Sequence, residues 1–548
     1  MKVKTVLAIL TVAYAAALTY QWPTVIGAQG DPCFVATSQG DVLGVNRGQA
    51  CEFRSVPFGA PTATAMRWKP PVSASPWAPA PLDATNPIPT VCAQFNQAGA
   101  PVGTEDCLKM QIWAPHSGTR PPLPVIVWFH PGSFISASAA ISAHNAARFV
   151  AENDAIVVAP NYRLGPFGFL AHEALRSDSS EYASAGNYGL LDQRLALEWV
   201  RTHIADFGGD PNRITIAGQS AGGLSVSLHL VSPGSHGLFD RAIMQGGFAS
   251  YRWRTREDGE AQADAFAVVL GCAESSDVLA CLRGKTRDQV LQALPVGTEQ
   301  YAETGRTQWG PVVDGLVIPD QPRTLFEAGA FSRVPMIIGS NDDEGWTWVS
   351  RSFTGTVTQE QYELALATEF GSDAMAILAA YPAAEYDSPK DALARAVTDA
   401  EYACGAARLA SLVERTNTRI HLYQFDYGVP AVASGRAVHG LDVHFLFGTN
   451  VTPPVGTYTL NDGADADLFR SMARLWTRFA DKGNPNSDQD VTEWPKFNRP
   501  SGPGRGADQY LILDAPMTVR KRLREARCAF WEPYFFRSIT GEVPAAAH

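Results

Sequence analysis

The stretch Ile214-Thr-Ile-Ala-Gly-Gln-Ser-Ala-Gly-Gly223 decides how this chain is read. An apolar, β-branched run ends at Ala217, the pattern Gly218-x-Ser220-x-Gly222 follows, and residues 224–231 have a composition that suits a helix. A sharp strand-to-helix turn pushes a serine hydroxyl out to where a base can reach it. Glycines on either side let neighbouring backbone come close. The helix start behind the serine adds free N–H groups and the positive end of a dipole. The pattern alone also fits a glycine-rich turn; the flanking strand and helix favour Ser220 as a nucleophile.

Short apolar runs of the same kind recur at 125–129, 156–159, 242–244, 336–338, 420–425 and 511–513. Most lack period-two alternation, so they read as strands covered on both faces, as in a parallel sheet. Helical patterns lie between them. In 191–204, Leu191, Leu195, Trp199 and Val200 share one face; 468–482 and 519–535 read as helices in the same way. Strands alternating with helices predict an α/β layered fold. At about 110 to 150 residues per domain, 548 residues could make three or four domains. No linker splits the chain, however, and the Pro-rich segment 69–89 reads as irregular surface wrapping. One large domain over 29–548 is expected.

With 45% apolar and 18% charged residues the chain can bury a large core, which excludes disorder as its overall state. A net charge of −11 argues against a nucleic-acid partner or a broadly basic membrane surface. Lys2 and Lys4 precede twelve mostly apolar residues at 6–17. That length suits a signal-peptide core of about 7 to 15 residues and falls short of the roughly 20 of a spanning helix. Residues 1–28 are therefore expected to be a signal peptide, cleaved after Ala28 or earlier, near Ala15 or Ala17; the alternative is an uncleaved anchor. Otherwise no stable membrane insertion is expected, and the protein should be secreted or periplasmic.

A second chemical feature ends the run Val125-Ile-Val-Trp-Phe-His-Pro-Gly-Ser-Phe134. A loop of this type after a strand can aim consecutive backbone N–H groups at an oxyanion. The candidate donors are Gly132, Ser133 and, after the nucleophile, Ala221; Pro131 has no N–H to give. An ordinary strand-terminal turn is the competing reading.

With these pieces in place, the sequence resembles the type B carboxylesterase, or cholinesterase-like, family of α/β-hydrolases. The likeness runs from about residue 35 to 536. It rests on Glu105-Asp-Cys-Leu108, Asn161-Tyr-Arg-Leu-Gly165, Gly186-Asn-Tyr-Gly-Leu-Leu-Asp-Gln193, Phe207-Gly-Gly-Asp-Pro211, the Ser220 segment, Pro311-Val-Val-Asp314, Asp343-Glu-Gly345 and His439-Gly440. The resemblance implies an α/β-hydrolase fold: a large, mostly parallel sheet flanked by helices, with a small N-terminal antiparallel portion. It also implies a triad in the chain order Ser220, Glu344, His439. Asp342 and Asp343 are chemically capable rivals of Glu344, and His444 is the nearest rival of His439. In the implied mechanism His439 takes the Ser220 proton, Glu344 orients the imidazole, and water later hydrolyses the acyl-enzyme. Because the base must be neutral, activity should fall as pH drops through roughly 6 to 7. No cofactor or metal is expected. Arg163 and Asp192 match positions of a buried ion pair.

For the eight cysteines the family pattern implies Cys92–Cys107, Cys272–Cys281 and Cys404–Cys528, leaving Cys33 with Cys51; eight cysteines allow 105 pairings by sequence alone. Two departures bear on substrate. The residue before the nucleophile is usually Glu in the family and here is Gln219. The Cys92–Cys107 loop has fourteen residues and lacks the tryptophan that stacks on choline. Choline-ester specificity and a long lipase-type lid are therefore not expected. Trp253 resembles an acyl-pocket tryptophan. Arg252 and Arg254 beside it could greet a substrate carboxylate, or simply form a solvated charged segment. The expectation is a serine carboxylesterase for small or medium esters. An amide or carbamate hydrolase on the same triad, or a non-catalytic adhesion-type homologue, are the alternatives.

Overall fold

The computed structural model describes residues 30–86, 90–116, 121–178, 182–249, 253–293, 309–488, 490, 492–498 and 508–537. The expected signal segment 1–28 lies outside them. At the centre is an eleven-stranded sheet: β1 (Val45–Asn46), β2 (Ala50–Pro57), β3 (Lys109–Pro115), β4 (Leu123–Phe129), β5 (Ile156–Pro160), β6 (Gly209–Gln219), β7 (Arg241–Gln245), β8 (Met336–Asn341), β9 (Ile420–Phe425), β10 (Gln509–Leu513) and β11 (Thr518–Lys521). The spatial order is β11-β10-β9-β8-β7-β6-β4-β5-β3-β2-β1. Strands β4 to β10 run parallel, and the strands at both edges are antiparallel. This is the α/β-hydrolase fold, and the apolar runs read from the sequence are its parallel strands.

Burial on both faces explains why those runs do not alternate with polar residues. Val125, Val127 and Phe129 of β4 enter one buried cluster, while Ile126 and Trp128 enter a second on the opposite face. Helix α1 (Tyr188–His203) places Leu191, Leu195, Trp199 and Val200 in the first cluster. A later helix, Ala464–Lys482, places Leu468, Phe469, Met472, Trp476 and Phe479 in the second. A third cluster forms among helices beyond β8 and includes Tyr381, Tyr402 and Trp531.

The helix read over 519–535 is corrected. Residues Thr518–Lys521 are strand β11, paired antiparallel to β10 from Gln509↔Lys521 to Ile512↔Thr518. Arg522 and Arg524 then turn the chain at positive φ, and the helix begins only at Glu525. The open edge of β10 offers a full row of partners, and pairing there outweighs helical periodicity.

A small N-terminal sheet joins Phe34–Val35, Val42–Leu43 and Leu82–Asp83, its first pair antiparallel. The described part of the Pro-rich segment supplies only that last short strand. All four disulfides are formed: Cys33–Cys51, Cys92–Cys107, Cys272–Cys281 and Cys404–Cys528. Arg163 and Asp192 form a buried bidentate pair at 2.7 and 2.8 Å. Among the described residues no helix is long and apolar enough to cross a membrane.

Candidate active site

Ser220 stands between β6 and α2 (Ala221–Val231) with φ 57° and ψ −128°. Such backbone costs a β-carbon residue about 1 to 3 kcal/mol and persists only when its surroundings hold it. The Ser220 N–H donates to the Gln245 carbonyl at 2.9 Å, and its own carbonyl accepts from the Leu224 N–H at 2.9 Å. At Gly222 a Cβ would overlap the Phe129 carbonyl. Glycine there lets the first turn of α2 lie directly on the end of β4.

The loop leaving β4 is held just as firmly. Gly132 has φ 116°, and Ser133 and Phe134 follow at 52° and 61°. The Gly132 carbonyl accepts from the N–H groups of Ile135 and Ser136, both at 3.0 Å. Gln94, inside the Cys92–Cys107 loop, donates to the Ala137 carbonyl and accepts from the Ala137 N–H, each at 2.8 Å. His130 stacks on Tyr162 at 4.2 Å and donates from Nδ1 to the Pro131 carbonyl at 2.8 Å. Burial lowers its pKa to about 4, so it is a neutral structural ring. Ala221 heads α2, where a helix has no internal acceptor for its N–H. A Cβ at Gly222 would also stand 3.2 Å from the His130 carbonyl, so this end of α2 faces the start of the loop leaving β4.

Glu344 opens α3 (Glu344–Ser352) just beyond β8 and is 1% exposed. Its Oε1 accepts from the Asn341 N–H at 2.7 Å, and its Oε2 lies 2.5 Å from His439 Nδ1. The histidine is carried there by its own backbone. The Asp343 N–H donates to the Ala437 carbonyl at 3.0 Å, and Asn341 Nδ2 donates to that of Val438 at 2.7 Å. The rivals are engaged elsewhere. Asp342 pairs with Arg395 at 3.2 Å and Arg524 at 2.6 Å; Asp343 pairs with Arg395 at 3.0 Å and Arg436 at 3.3 Å. His444 is buried, lies 3.1 Å from the Thr449 hydroxyl, and is held neutral by burial with a pKa near 4.

Gln219, the neighbour of Ser220, brings the elbow to this pair: its Nε2 is 3.1 Å from His439 Nε2 and 3.4 Å from Nδ1. Trp348 and Tyr402 flank the imidazole at 5.4 and 5.3 Å between ring centres. They are joined by a 2.7 Å bond from the indole N–H to the phenol. Behind the pair, buried Asp442 accepts from Gln245 Nε2 at 2.7 Å and Asn341 Nδ2 at 3.2 Å. Burial, with the Glu344 charge adding, raises its pKa to about 6. Sequence reasoning missed Gln94, Trp348, Tyr402 and Asp442. Trp348 had a signal, since it lies one turn after Glu344 on the same helical face. Tyr402 had none: it reaches the site from a π-helical turn, Thr398–Ala403, a feature frequent at functional sites.

Trp253 is 4% exposed and its ring meets Phe134 edge-on at 6.4 Å, next to the Gly132–Ser133 loop. Gln321 clamps its backbone, accepting from the Trp253 N–H at 2.8 Å and donating to its carbonyl at 2.9 Å. Arg254 donates to the Asp258 carbonyl at 3.2 Å, and burial lowers its pKa. Arg252 lies outside the described residues. Among those described, the cluster of potential metal ligands is Cys33, Cys51 and His116, but both its sulfurs are consumed in a disulfide.

A sequence profile described as the carboxylesterase family matches residues 31–531. The chain belongs to that family. Among its relatives is a fumonisin B1 esterase of Sphingopyxis macrogoltabida, 32% identical over 477 residues that cover 86% of this chain and 85% of that protein. Another is the acetylcholinesterase of Electrophorus electricus, 30% identical, covering 93% of this chain and 90% of that protein. Ester hydrolysis is thus the general chemistry of this carboxylesterase, and its substrates are small-molecule esters.

Proposed function

We propose that this carboxylesterase is an exported serine hydrolase that cleaves small or medium carboxylic esters through an acyl-enzyme on Ser220. The observation that carries the reading is the Glu344–His439 bond at 2.5 Å, delivered beside the Gln219–Ser220 elbow. Bonded through Nδ1, His439 keeps the Nε2 lone pair for the serine proton. Ser220 Oγ attacks the ester carbonyl, His439 takes the proton, and Glu344 stabilises the imidazolium that forms. The N–H groups of Gly132, Ser133 and Ala221 hold the oxyanion. The same imidazolium protonates the leaving alcohol, then activates water to release the acid. Four disulfides suit an oxidising compartment.

Trp253 against Phe134 forms a wall for the acyl group. Arg252 and Arg254 favour a polar or anionic acyl group. The short Cys92–Cys107 loop and uncharged Gln219 leave a choline cation without its usual partners. The test is a panel of p-nitrophenyl esters of varied acyl length and charge, with matching anilides, fumonisin B1 and acetylcholine. Wild type should turn over the esters and Ser220→Ala should lose at least about a thousandfold. Anilide turnover equal to ester turnover would favour an amidase instead. Activity surviving in Ser220→Ala would refute the nucleophile. Equal efficiency for neutral and anionic acyl esters, unchanged in Arg252→Ala and Arg254→Ala, would remove the charge preference.

A further inference from the structure

The Gln219 amide nitrogen is nearly equidistant from the two nitrogens of His439, at 3.1 and 3.4 Å. A donor aimed along the in-plane lone pair of one ring nitrogen would stand much farther from the other. The amide therefore sits over the face of the imidazole. Nδ1 faces Glu344 Oε2, so in the neutral ring Nδ1 carries the proton and Nε2 keeps its lone pair. Placed there, Gln219 does not compete along that lone pair. Gln219 is 2% exposed, so water screens the contact little.

An N–H over a ring face turns the positive end of its dipole toward the π cloud. The contact favours the neutral ring, whose face is negative, and opposes the imidazolium. The charged groups near the ring push the other way. Glu344 from α3 meets it directly, and Asp442 acts on it from the helix Leu441–Phe447. Trp348 from α3 and Tyr402 from the π turn present uncharged rings. Asp343, beside Val438, is paired by Arg395 and Arg436. We infer that Gln219 is a positioning residue that holds the base neutral against the Glu344 carboxylate bonded to it, extending ester hydrolysis to lower pH. The inference rests on the proposed function, because it assigns His439 as the base.

The test is the pH profile of kcat/KM on a neutral ester. Gln219→Glu keeps the length and replaces the donor with a charge over the ring; an opposite charge within about 4 to 6 Å shifts a pKa by about 1 to 3 units. The acid limb of Gln219→Glu should move up by at least about one pH unit, with the high-pH plateau less affected. Gln219→Met, with neither donor nor charge, should move it the same way by a smaller amount. The pH dependence of Ser220 labelling by an uncharged phosphonate ester supplies a readout free of KM. An unmoved limb in Gln219→Met overturns the inference, and coincident limbs in Gln219→Glu and wild type overturn the placement of the amide against the ring. If Gln219→Glu fails to fold, the Gln219→Met limb alone decides, and its upward shift supports the inference. A wild-type protein that turns over no ester refutes the functional reading itself, a result distinct from an active enzyme with unmoved limbs.

Discussion

Gln94 holds both backbone groups of Ala137, on the loop that carries the proposed oxyanion donors Gly132 and Ser133. Removing it leaves the proposed donors in place but loosens their aim. Deleting a whole oxyanion donor costs about a hundred- to a thousandfold in kcat. Gln94→Ala should therefore cost less, about tenfold, with KM nearly unchanged, as steady-state kinetics on a p-nitrophenyl ester can read. A KM rise with kcat intact would mean that Gln94 shapes the pocket instead. At this scale legibility depended on local pattern. Ser220 and Gly222 announce themselves because the turn needs glycine at fixed spacing. Glu344 was separable from Asp342 and Asp343 only by likeness to a family; in space the distinction is plain, because the arginines take the other two. Gln94 and Tyr402 were invisible, since each acts on residues far along the chain through contacts that folding alone creates.

The elements differ in how openly they declared themselves. Strands β4 to β10 were legible because burial on both faces leaves an unbroken apolar run, which water-facing structure rarely shows. Strand β11 was not, because all four of its residues are exposed and only the edge of β10 determines its conformation. Beyond it, Cys528 in the last helix is tied to Cys404, which follows the π turn carrying Tyr402. That bridge spans 124 residues of sequence, against 9 for Cys272–Cys281. In the chain-entropy model the longer bridge contributes about 4 to 5 kcal/mol and the shorter one less. The double variant Cys404→Ser/Cys528→Ser should lower the urea midpoint more than Cys272→Ser/Cys281→Ser. The reverse order would show that native contacts around the bridges outweigh loop length.

For the molecule as a whole, the buried histidines set a limit on acid tolerance. Burial lowers the pKa of His130 and His444 to about 4 and of His144, His229 and His421 to about 3, from 6.5. Below pH 6.5 the unfolded chain binds protons at these rings that the folded chain refuses. Stability is therefore complete above that pH and is lost as pH falls toward 3 to 4, by at most about 1.4 kcal/mol per unit for each ring. Asp426 and Asp442, both raised to about 6 chiefly by burial, act in the opposite sense, gaining protons first in the folded state. Two such groups offset only part of five. The urea midpoint should fall steadily from pH 7 to pH 5, a decline separable from any change in kcat/KM carried by the proposed base, His439. His421 lies against Trp494 and Phe479, 5.7 and 6.4 Å between ring centres, and pairs with Ile337 near the start of β8, at the opposite end of that strand from Asn341 and Glu344. His421→Phe should flatten the decline by up to one proton while leaving the acid limb of kcat/KM where it was. A midpoint that does not change between pH 7 and pH 5 would mean that these rings take up protons without unfolding, and burial would then not be what keeps them neutral.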